Sequence, residues 1–148
     1  MFGDLKKTKH MKTHSTNYNN TFIEVAEDCP CYKGETPPAK KDLPTIATLQ
    51  FELIAKHPYQ YTSDEVLFKI YAQRNDLTTE QHAPTKKIFF SKGQACLRTS
   101  PLAKRYGWGI HHNDLGKVAL YSVDSKGYEQ FITDKKTTKV KAMRSKKL

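Results

Sequence analysis

The chain alternates between two hydrophobic periods. Thr21 to Ala26 (TFIEVA) sets Phe22, Glu24 and Ala26 against Ile23 and Val25, a β-branched alternation that predicts a strand. Asp28 to Pro44 holds Pro30, Gly34, Pro37, Pro38 and Pro44 and reads as a long loop, a length that often carries function. From Thr45 to His57 the apolar positions Ile46, Leu49, Leu53 and Ile54 fall at helical spacing, with Thr45 as cap and Pro58 as stop. Thr62 and Glu65 match a capping box ahead of a helix over Ser63–Arg74. Val66, Phe68, Ile70 and Ala72 also alternate, so a buried strand is the rival there. A third helix is predicted over Thr79–Ser91, with Pro84 tolerated only near its first turn and Gly93 closing it.

Arg105–His112 and Lys117–Val123 flank Asn113-Asp114-Leu115-Gly116, the pattern of a β-hairpin. Ser125–Thr133 predicts a short helix opened by Asp124 or Ser125, and Val140–Met143 a last strand. The sum is an α+β single domain: a small antiparallel sheet with helices packed on one face.

Composition thins the core and charge moves to the ends. Leu, Ile, Val and Phe supply 30 of 148 residues, close to the lower bound for a packed domain. The formal charge is +10, of which +3 falls in the first twenty residues and +6 from Asp134 onward. Residues 1–14 are therefore expected to be a disordered basic extension, 15–133 the folded body, and 134–148 a basic strand or tail. No stretch approaches 18 apolar residues, and the N-terminus has no apolar run, so neither a membrane partner nor a secretory signal is expected.

Candidate chemistry is sparse. Cys29-Pro30-Cys31 has one residue between its thiols, unlike the usual zinc or redox pair, and Cys96 stands far off. All three read as reduced thiols of a cytoplasmic protein, with no metal and no cofactor expected. His111 and His112 should point to opposite faces of a strand, and an inward one beside Tyr106 and Trp108 could donate or accept a proton. The densest cluster runs from Gly93 to His112. Arg98, Lys104 and Arg105 offer charge-assisted donors, Tyr106 and Trp108 offer ring faces, and His111 closes the set of candidate ligand-binding residues. The rival reading makes Trp108, the single Trp, a core anchor. In the C-terminal segment, Lys139, Lys141, Arg144, Lys146 and Lys147 are candidate nucleic-acid contacts, or a solvated edge.

Three strings carry a resemblance: Thr16–Pro30 (TNYNNTFIEVAEDCP), Phe89–Cys96 (FFSKGQAC) with the following LRTSPLAKRYGWGIH, and VKAMRSKK. They resemble an uncharacterised family of short bacterial proteins known only as a domain of unknown function. The likeness runs from about Thr13 to Lys147, with Met11 as the more typical start. It implies a bacterial, intracellular, single-domain protein and brings no activity or catalytic residue.

Three functions stay open. The first is a non-enzymatic cytoplasmic binding module for an anionic ligand or partner near residues 93–112. The second is non-specific nucleic-acid binding through the basic termini, and the third a small enzyme using Cys96 or His111. A homodimer is compatible with so thin a core.

Overall fold

The computed structural model of the chain describes residues 12–39 and 43–146. Its elements run β1 (Thr21–Glu24), α1 (Ile46–Ala55), α2 (Ser63–Arg74), α3 (Thr79–Phe89), a 3-10 turn (Leu97–Thr99) and α4 (Pro101–Arg105). Then follow β2 (Trp108–His112), β3 (Val118–Ser122), α5 (Lys126–Thr133) and β4 (Thr138–Lys141). The four strands form one sheet in the order β3-β2-β1-β4. The α+β class is the one the sequence predicts.

Local chemistry explains most element ends. Thr45 Oγ1 accepts from Thr48 N–H at 3.2 Å and opens α1. Both arms of the α2 capping box form: Glu65 N–H donates to Thr62 Oγ1, and Thr62 N–H donates to the Glu65 carboxylate at 3.0 Å. Such a cap is worth about 1 kcal/mol. The helix also accounts for the alternation that mimicked a strand. Val66 and Ile70, four apart, enter the main core, while Phe68 and Ala72, also four apart, join Phe90 in a smaller cluster.

The sheet is mixed rather than purely antiparallel. β1–β2 and β2–β3 pair antiparallel, but β4 lies parallel to β1, with Ile23 opposite Val140. The reason is α5, which carries the chain from the β3 edge across the sheet to the far edge. α5 also puts a helix on the second face. Alternation turns Ile23, Ile110 and Val118 into the main core with Leu49, Ile54, Val66 and Leu102 of α1, α2 and α4. Phe22, His111 and Tyr121 point the other way and need their own cover. Phe131 of α5 stacks on His111 at 3.9 Å and on Phe22 at 5.0 Å.

Three further differences have physical causes. Residues 105–107 are not strand: Ser100 caps α4 with Pro101 at its first position, and Gly107, at φ +77°, breaks the chain before Trp108. Pro84 sits six residues into α3, beyond the expected first turn. That helix has no fully buried residue, so a proline inside it disturbs little of the core. The last strand is Thr138–Lys141, two residues earlier than predicted, because its register is set by pairing with β1. Of the expected disordered extension, residues 1–11 lie outside the described residues, while His14 N–H donates to the Phe90 carbonyl at 2.8 Å.

Candidate functional site

The six candidate ligand residues of the 98–111 segment are not brought together. Arg98 donates from Nε to the Lys141 carbonyl at 2.8 Å and so clamps the end of β4. Arg105 is exposed at the end of α4, and the side chain of half-buried Lys104 makes no hydrogen bond or ion pair among the described residues. Tyr106 packs on the main core, and its carbonyl accepts from Glu35 N–H at 2.8 Å. Trp108 leans on Phe51 at 5.5 Å and donates from Nε1 to the Glu35 carbonyl at 2.9 Å. It anchors the loop to the core. His111 is on the opposite sheet face from Trp108.

That second face carries an aromatic network. The Tyr59 hydroxyl lies 2.8 Å from His111 Nδ1 and 2.7 Å from the Tyr121 hydroxyl. Tyr59 holds φ +60°, a left-handed value that costs a bulky residue free energy, and its N–H bonds to the Val118 carbonyl at 2.8 Å. Burial pushes the Tyr59 hydroxyl well above its ordinary value and lowers His111 below its own. Burial favours the neutral His111 ring, and the Tyr59 hydroxyl bridges it to the Tyr121 hydroxyl.

His112, one residue on, turns into the main core. Its side chain is wholly enclosed, and among the described residues neither ring nitrogen has a hydrogen-bond partner. Burial lowers it to about 4, so the ring is neutral at pH 7. Cys96 Sγ lies 3.3 Å from the Tyr18 hydroxyl, and that bond raises the phenol. Burial, aided by Glu35, pushes the Cys31 thiol up to about 11, away from thiolate chemistry. Among the described residues, no three His, Cys, Asp or Glu side chains group as metal ligands.

The basic C-terminal segment is tied down rather than splayed. Lys141 and Arg144 reach Glu27 at 3.7 and 3.0 Å, and Lys139 Nζ donates to the Asp134 carbonyl. Backbone N–H groups of Ser145 and Lys146 bond the Asp28 carboxylate and hold it below the usual carboxylate range. Lys147 lies outside the described residues.

Two clefts flank α2. The larger, about 710 Å³, has Phe68 and Leu53 on its walls and carries Glu52, Lys56, Lys69 and Asp76, charges of both signs. The smaller, about 470 Å³, opens between α1, α2, the end of α3 and residues 94–101. Ile46, Leu67, Tyr71 and Phe89 give it apolar walls, and among the described residues Arg74 is the one charged residue lining it. Arg74 forms no ion pair among the described residues. Gln50, 4% exposed, also lines it. Sequence reasoning missed both residues. The available signal was Gln50 itself, a polar side chain four residues after Ile46 and four before Ile54, inside the apolar stripe of α1.

Fold and site together define a small α+β domain with a preformed cleft that pairs apolar walls with one cation. A family model for a family of unknown function (DUF6157) matches residues 13–148, and the chain belongs to that family. No curated protein matches the chain, and no solved structure does. Among the described residues, no helix is long and apolar enough to cross a membrane.

Proposed function

We propose that this protein is a non-enzymatic binding module for a small organic anion, held in the cleft between α1, α2 and residues 94–101. The observation that carries the reading is Arg74 at the cleft, without an ion-pair partner among the described residues, beside walls of Leu67, Tyr71 and Phe89. A guanidinium matches a carboxylate in a bidentate pair, and apolar walls favour a ligand with an apolar body. The cleft includes Gln94, Thr99 and Ser100, so the anion would dock against the first part of the 93–112 segment rather than its strand. Three unpaired cysteines fit a reducing cytoplasm. Nucleic-acid binding through the C-terminus is the weaker proposal, because Lys141 and Arg144 already face Glu27. An enzyme built on Cys96 or His111 is weaker still, since each is hydrogen-bonded to a tyrosine.

The test is calorimetric titration of the full chain with benzoate. Arg74→Gln should weaken binding roughly tenfold, the loss expected of a hydrogen bond to a charged group, without changing the melting temperature. Binding that ignores this substitution overturns the reading.

A further inference from the structure

The depth of the cleft holds a second recognition element. Gln50 is 4% exposed, and its Oε1 lies 2.5 Å from Ser100 Oγ. That separation suits O–H···O and is too short for N–H···O, so the amide presents oxygen to Ser100 and nitrogen elsewhere. Ser100 is itself fixed: as the cap of α4 it accepts from Leu102 N–H at 3.2 Å, and its single proton goes to Gln50. The orientation of the amide is thus locked from behind.

Gln50 Nε2 has no hydrogen-bond partner among the described residues. It is not sealed in either, because the fully enclosed unpartnered side-chain atoms are the two nitrogens of His112. Gln50 lines the cleft, and a mostly buried amide donor without a partner is a group a ligand there can satisfy. Arg74 is exposed and Gln50 is not, so the two polar groups act at different depths of one apolar-walled cleft.

Resting on the anion-binding reading above, we infer that the ligand has two polar ends. Its outer end is a carboxylate for Arg74. Its inner end is a hydrogen-bond acceptor, such as a carbonyl or ether oxygen, for the Gln50 amide. Between them lies a flat apolar body for Tyr71 and Phe89.

Benzoate, 4-acetylbenzoate, acetophenone and inorganic phosphate separate these elements when titrated into the full chain. The wild-type protein should bind 4-acetylbenzoate about three- to tenfold more tightly than benzoate, the range for one added neutral hydrogen bond. Gln50→Met, which keeps the side-chain length and removes the amide, should erase that preference, read as the ratio of the two acids' affinities within the variant. Equal binding of the two acids by the wild-type chain overturns the inference and leaves the anion reading standing; that comparison needs no variant to fold. A preference that survives Gln50→Met overturns it as well. Failure of both acids to bind, or phosphate binding as tightly as either, overturns the anion reading and the inference with it.

Discussion

The two sides of the sheet are finished in different ways. Beneath α5, the space between strands and helix is filled by Phe22, Tyr121, Tyr128 and Phe131. Hydroxyls in that layer bond within the protein: Tyr59 bridges His111 Nδ1 and Tyr121, and the Tyr128 hydroxyl accepts from Val25 N–H at 3.0 Å. On the helical side, α1 and α2 cover the core but leave clefts along α2, and polar groups there go unpaired. Among the described residues, the His112 ring nitrogens in the core have no partner, nor does the amide nitrogen of Gln50, which lines the cleft. A layer knit by stacked rings and bridging hydroxyls is structural, however reactive its residue types look. Function is better sought where the fold leaves donors unsatisfied beside open space.

Breaking the closed side should have the largest effect. A Cβ at Gly109 would run into the rings of Phe22 and Tyr128, which α5 holds in place. Gly109→Ala should lower stability by about 3 kcal/mol, read from urea unfolding, or prevent folding. A loss under 0.5 kcal/mol would mean that the α5 layer is loosely packed.

Acid should act on the other side. Folded His112 titrates near 4, while the unfolded residue titrates near 6.5. Between those values the unfolded chain takes up the proton first, so stability is full above pH 6.5 and falls as the pH drops to 4. The loss at this enclosed site is about 3 kcal/mol. His112→Leu should flatten that part of the stability profile, and near pH 8 it should be neutral or stabilising, since it removes two orphaned nitrogens. An unchanged profile would place the acid sensitivity elsewhere.

A smaller effect is expected from Tyr59→Phe. It deletes the hydroxyl between His111 and Tyr121 and should cost about 1 kcal/mol in the same unfolding experiment. Benzoate binding should stay as it was. Impaired binding would tie the aromatic face to the site and undo the contrast.

Legibility in the sequence followed the range of the interaction. The Thr62–Glu65 box and the hairpin around Asn113 act over a few residues and were readable; Asn113 Oδ1 accepts from both Leu115 and Lys117 N–H within the turn. The parallel placement of β4 was not readable, because it is decided by α5 crossing a sheet assembled from distant segments. The cluster from Arg98 to His111 is dense in the chain but not in space. α4 and Gly107 turn its first half away, and strand alternation then sends Trp108 and His111 to opposite faces. Arg74 and Gln50 are 24 positions apart on two helices, and only packing against residues 94–101 gives them a common cleft.

The most direct test of the central claim, that the open cleft and not the aromatic face is the site, is a ¹H–¹⁵N NMR titration of the full chain with 4-acetylbenzoate. Saturable shifts are expected at the Gln50 side-chain amide and at the backbone of Tyr71, Arg74 and Ala95, with His111 and Tyr121 unmoved. Shifts centred on His111 and Tyr121, with Gln50 silent, would contradict it.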